Sequence, residues 1–190
     1  DWPHQVFQAG DKVIVNNVRG QQTKIYTHTG GGNFTLTAET GSWDGDGAYH
    51  HAVTVYKVAS NYAELWVDGT LADSRVQFAS SPIDVKSRFS SMVGANIFGV
   101  GSAGQFFGGK VDEVALYPFA LTSAAIVDRY RLGIGHRDAK ESYVEQVLAD
   151  LPRAYWRLGD APGETIAQEE MRSIPGSFFA GVTRGVAGAV

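Results

Sequence analysis

The sequence predicts an all-β fold: a two-sheet antiparallel β-sandwich closed by a short C-terminal helix, then a linker helix and a partial second β module. Three observations carry that expectation. Short β-type runs separated by Gly, Asn, Asp and Ser fill residues 12 to 117, the regular spacing of a sandwich or jelly roll. Asp68-Gly69 stands between two of these runs. It suits a type I′ hairpin turn, which needs positive φ at both central residues. Beyond residue 121 the period changes from that of strands to that of helices.

The expected strands, in order, are Lys12–Val18, Thr23–His28, Asn33–Thr40, Tyr49–Lys57, Ala63–Val67, Thr70–Phe78, Arg88–Val93 and Lys110–Tyr117. Thr122 predicts the N-cap of a helix over Ser123–Leu132, and Gly133 its stop. Ile126 and Tyr130, four apart, share the inner face of that helix. Residues 134 to 138 read as a linker. Val144, Val147, Leu148 and Leu151 give Ala139–Leu151 the period of an amphipathic helix, limited by Pro152. Tyr155–Leu158 is strand-like, and a further strand is expected near Ser177–Thr183. The expected organisation is a sandwich over 1–133, a linker with a helix over 134–152, and the start of a second β module, or strands complementing a sandwich, over 153–190.

Composition narrows the function classes. Among 190 residues the net charge is −4, which disfavours nucleic acid or an anionic membrane as the main partner. There is no cysteine, so disulfides and thiolate chemistry are excluded. No run of about 18 apolar residues predicts a membrane span. The chain opens at Asp1 without a basic and apolar leader, as a processed or cut N-terminus would.

Several motifs then point to one family. Tyr49-His50-His51-Ala52-Val53-Thr54-Val55-Tyr56 is followed by Leu65-Trp66-Val67-Asp68-Gly69, and then by Phe107-Gly108-Gly109-Lys110-Val111-Asp112-Glu113-Val114-Ala115-Leu116-Tyr117 and Ala120-Leu121-Thr122. In order and spacing these resemble the laminin G-like, concanavalin A-like jelly roll over residues 43 to 133, while residues 1 to 42 match poorly. Tyr155-Trp156-Arg157-Leu158-Gly159-Asp160 resembles the opening of such a module. The end of one module thus precedes the start of the next, as in a slice from a tandem array. The resemblance implies attachment or structural roles, of the kind found in bacterial surface proteins and phage minor tail proteins.

The candidate chemistry is sparse. Asp112 and Glu113 are neighbours, and neighbouring strand residues point to opposite faces. They are therefore unsuited to the paired carboxylates of a glycosidase. The same alternation puts Asp112 with Val114 and Leu116 on the core side. Asp44-Gly45-Asp46-Gly47 offers two carboxylates in a flexible loop. Asp44 and Asp46 are accordingly the candidate Ca²⁺ ligands, with a solvated turn as the alternative. His50 and His51 diverge on a strand, so one of them is expected to pack or bond at the sheet edge. Gly99-Val100-Gly101-Ser102-Ala103-Gly104 fits a dinucleotide pattern but lacks the following helix, and reads as a turn. Asn33-Phe34-Thr35 is a glycosylation sequon at a strand start. Trp66 and Trp156 read as packing residues.

Trp43 and Tyr49 flank the acidic loop, and aromatic faces beside carboxylates are a common way to hold sugars. Trp43, Asp44, Asp46 and Tyr49 form the expected ligand site. The expected function is noncatalytic attachment to a cell-surface glycan or protein. The setting would be extracellular or a virion tail, with other copies or tail and surface proteins as partners in an oligomeric assembly. The alternatives are a structural spacer or oligomerisation module and, disfavoured, a glycoside hydrolase.

Overall fold

The computed structural model describes residues 4–5, 7–9, 15–19, 22–29, 32–39, 47–60, 62–76, 91–99, 102–104, 106–135 and 142–190. The chain falls into two compact units, Asp1–Lys110 and Val111–Val190. It is sheet-rich, with two α-helices and one short 3₁₀ helix, Val58–Ser60, among the described residues.

The first unit contains β1 (His4–Gln5), β2 (Phe7–Ala9), β3 (Val15–Arg19), β4 (Gln22–Thr29), β5 (Gly32–Glu39), β6 (Ala52–Lys57), β7 (Tyr62–Val67), β8 (Thr70–Val76), β9 (Ser91–Val93), β10 (Asn96–Gly99) and β11 (Ser102–Gly104). One antiparallel sheet has the order β1-β3-β4-β5, and a second has the order β6-β7-β8. The pairs β2-β9 and β10-β11 complete the unit. The sequon residue Asn33 lies in β5 opposite His28. Of the G-x-G-x-x-G stretch, Gly99 ends β10 and Ser102–Gly104 form β11, with Ile97 opposite Ala103. Among the described residues a strand, not a helix, follows Gly99, in line with the expectation from the sequence.

The strand β7 forms the heart of this unit. Ala63, Glu64, Leu65, Trp66 and Val67 are all buried, so both faces of the strand are covered. Asp68 and Gly69 have φ of 49° and 72°, and Val67 pairs with Thr70 across them. This is the expected turn with two positive φ angles. A bulge lies where Leu65 faces Asp73 but Trp66 faces Leu71. Ala72 is the extra residue, and it re-aims the end of β8.

The second unit contains β12 (Val114–Leu116), α1 (Ser123–Gly133), α2 (Tyr143–Ala149), β13 (Ala154–Trp156), β14 (Ile166–Ala167) and β15 (Gly176–Ser177). Thr122 caps α1 as expected, its side chain accepting from the Ala125 N–H at 3.2 Å. The helix runs past Gly133 to a C-cap at Ile134. The stop is Gly135, whose φ is 71°, because the left-handed residue that ends a helix need not be the first glycine available. The second helix is shorter than periodicity suggests. It starts at a capping box in which Ser142 and Glu145 bond each other's backbone N–H groups, a strong local start signal. Its end is marked by Leu151 at φ 51° just before Pro152.

The expected strand Lys110–Tyr117 is reduced to Val114–Leu116. Glu113 has φ of 55°, a left-handed conformation that breaks the extended backbone. The strand β12 pairs antiparallel with β13, Val114 facing Trp156, Ala115 facing Tyr155 and Leu116 facing Ala154. Ile126, Val147, Ala154, Tyr155 and Ala167 form the buried centre of this unit.

Candidate functional site

Of the four residues expected to hold a ligand, Trp43, Asp44 and Asp46 lie outside the described residues. Tyr49 is described and is 37% exposed. Its chain neighbour His50 is tied down: Nδ1 lies 2.7 Å from Oδ2 of Asp68. The other oxygen, Oδ1, accepts from the His51 N–H at 2.9 Å. The Asp68 N–H in turn donates to the His51 carbonyl at 2.9 Å. One aspartate thus makes the tight turn and fastens the start of β6 to it. The His-His and Asp-Gly motifs are two halves of one contact, and the expectation that a histidine bonds at the sheet edge is met by His50.

Three buried glutamates define the remaining polar architecture. Glu64, 7% exposed, lies on the same face of β7 as Tyr62 and Trp66. Lys57, opposite Tyr62, reaches Oε1 at 2.9 Å, and the Trp66 indole N–H donates to Oε2 at 2.8 Å. The Lys57 ammonium also sits 5.0 Å from the Tyr62 ring centroid, within cation–π range. Burial pushes the Glu64 carboxyl up, but the indole and ammonium outweigh it and hold the group below its ordinary value.

Glu169, 5% exposed, lies in a nest of backbone amides. Oε1 accepts from the N–H groups of Tyr155 and Met171, each at 2.9 Å. Oε2 accepts from the N–H groups of Ser173 at 2.7 Å and Ile174 at 3.3 Å. These bonds oppose burial and keep its carboxyl below the ordinary range. They also fasten the 169–174 loop to β13.

Glu113 has the opposite balance. Its side chain is 8% exposed. Oε2 accepts from the Tyr155 hydroxyl, and Oε1 accepts from Arg157 Nε at 3.1 Å. Burial dominates, so the carboxyl is raised in spite of both partners, with Asp112 adding to the rise. The alternation argument had placed Asp112 on the core side. The left-handed Glu113 interrupts that alternation, and Glu113 is the carboxylate that becomes enclosed. Asp112 instead accepts from the Ala189 N–H at 2.6 Å.

Arg129, 2% exposed, ion-pairs with Asp150 and lies 4.6 Å over the Tyr117 ring. Burial pushes the Tyr117 hydroxyl up to about 12, with Arg129 opposing and Asp150 reinforcing. Trp66 is buried, as expected for a packing residue. Trp156 is half-buried, and its indole nitrogen lies where Gly176 leaves room.

Glu64, Glu169 and Arg129 were not singled out in the sequence. Only Glu64 left a signal, as an acidic residue within the alternating run that pairs with Lys57. Among the described residues no group of three or more His, Asp or Glu side chains is placed to hold a metal ion, and no helix is long and apolar enough to cross a membrane.

Paired antiparallel strands with a motif-tied hairpin make this a sheet-rich domain. The chain belongs to the concanavalin A-like lectin/glucanases superfamily, whose laminin G profile matches residues 1–127. The match takes in residues 1 to 42, where the motifs themselves gave little. Comparison with curated proteins and with solved structures returned no match.

Proposed function

We propose that the chain is a noncatalytic attachment module that recognises a cell-surface glycan or protein through the loop carrying Trp43, Asp44, Asp46 and Tyr49. The observation that carries this reading is the exposed Tyr49 ring beside His50, whose position is fixed by Asp68. An exposed aromatic on a restrained backbone binds at low entropic cost. Superfamily membership supports the reading, since lectins are among its members. The two sheets of the first unit are read as the faces of a sandwich, with Asp44 and Asp46 as ligands for Ca²⁺ at its rim. The setting is extracellular, in a phage tail or surface assembly, with oligomeric packing against further copies.

Glycan-array binding by the whole chain, with and without Ca²⁺, tests this. Binding should fall at least tenfold in Trp43→Ala or Tyr49→Ala, and chelation should reproduce the effect of Asp44→Ala. Flat arrays for the parent chain, with a stable multimer in light scattering, would favour the spacer reading. That second reading is supported by the pairing of β12 with β13. The noncatalytic reading is supported by the engagement of Glu64, Glu113 and Glu169 with protein donors. Release of reducing sugar by the purified chain would overturn it.

A further inference from the structure

The pairing of β12 with β13 joins an element of closing type to one of opening type that comes later in the chain. Glu113, left-handed just before β12, is engaged from across the pair. Arg157 lies directly across from Glu113, since the Glu113 N–H points to the Arg157 carbonyl at 3.5 Å. Tyr155 lies two residues away, on the same face as Arg157. Ala115 faces Tyr155, and its small side chain leaves room for the phenol ring, which is fully buried. Both carboxylate oxygens of Glu113 are used, one on the hydroxyl and one on the guanidinium. On the far side the Glu169 nest grips the Tyr155 N–H, and the Glu170 N–H donates to the Tyr155 carbonyl at 2.9 Å. The segment 154–157 is therefore held from both sides, by its backbone at Glu169 and Glu170 and by its tyrosine and arginine side chains at Glu113.

We infer that β12 with Glu113 is an acceptor site for an extended strand carrying tyrosine and arginine two positions apart, filled in this chain by its own residues 154–157. An opening-type segment then completes the element before it, a form of strand addition within one chain. The acceptor stands whether or not the Tyr49 rim binds glycan. Glu113 is its positioning residue.

The absence of native cysteine makes crosslinking decisive. Leu116 faces Ala154 across the pair, and directly opposed residues of an antiparallel pair lie about 4.5–5.5 Å apart at Cα, within the span of a disulfide. In the full chain, Leu116→Cys/Ala154→Cys should oxidise to an intramolecular disulfide. It should do so at least tenfold faster than the opposite-face control Ala115→Cys/Ala154→Cys. Adding Glu113→Ala should slow the reaction about tenfold, and Glu113→Gln, which still accepts from the Tyr155 hydroxyl, should recover most of the rate. If Glu113→Ala unfolds by circular dichroism, Arg157→Ala serves instead, since that side chain is 43% exposed. Equal rates for the two cysteine pairs, or a disulfide-linked dimer, would overturn the assignment. So would a rate unmoved by the Glu113 and Arg157 substitutions.

Discussion

The β6-β7-β8 hairpin region and the loop behind β13 each bury a glutamate, and they do so by different means. Glu64 is satisfied by side chains, Lys57 and Trp66. Glu169 is satisfied by four backbone amides. A site made of side chains can lose both partners together and repack, whereas one made of amides leaves N–H groups that no substitution removes. The first is a local choice of residues on a pleated face. The second is the reason a loop folds at all.

The largest test of that contrast is Glu169→Ala. It strands buried amides and should destabilise the second unit by about 3 kcal/mol, read by urea denaturation. Amide exchange at Tyr155 and Ser173 should accelerate with it. Glu64→Ala leaves the Trp66 indole unmet and should cost about 1–2 kcal/mol. Lys57 is half-exposed and regains water, so Lys57→Met combined with Glu64→Gln should show a coupling of about 1 kcal/mol or less. A cost for Glu64→Ala exceeding that for Glu169→Ala would break the comparison.

Acid titration sharpens it further. Glu64 and Glu169 have folded values below the ordinary 4.5. They bind protons more weakly when folded, so their stabilisation is present above 4.5 and is lost as pH falls through the lowered values. Glu113 is raised above 4.5. It takes up a proton on folding, so its contribution grows as pH falls from the raised value towards 4.5. Glu113→Gln should therefore flatten the fall in the urea midpoint as pH rises above 4.5, and Glu169→Gln should flatten the decline as pH falls below 4.5. A Glu113→Gln profile parallel to that of the parent would show the carboxyl to be unshifted.

The smallest effect is expected at the turn. Asn tolerates positive φ, so Asp68→Asn should cost about 0.5–1 kcal/mol by thermal melting. Asp68→Ala, which loses both acceptors and the left-handed tolerance, should cost more.

Features set by near neighbours were legible in the sequence. The Asp68-Gly69 turn and the Thr122 cap depend on residues within a few positions, and each occurs where expected. The His50–Asp68 contact was half legible, as two motifs whose connection needed the hairpin to be folded. The length of β12 was misread because nothing local marks Glu113 as left-handed. Its side-chain partners, Tyr155 and Arg157, are remote in sequence. Glu169 was invisible because its partners are amides, which every residue carries. Of the expected ligand site, Tyr49 is exposed, and the other three residues lie outside the described ones.

The separation of β12 from β13 has a consequence for synthesis. At ribosomal rates of about 5–20 residues per second, the stretch from 116 to 154 takes roughly 2–8 s to emerge. Through that interval the nascent chain carries an incomplete sheet and an uncompensated carboxylate at Glu113. The first unit is already out of the ribosome by then, so the order of translation favours its closing before the second begins.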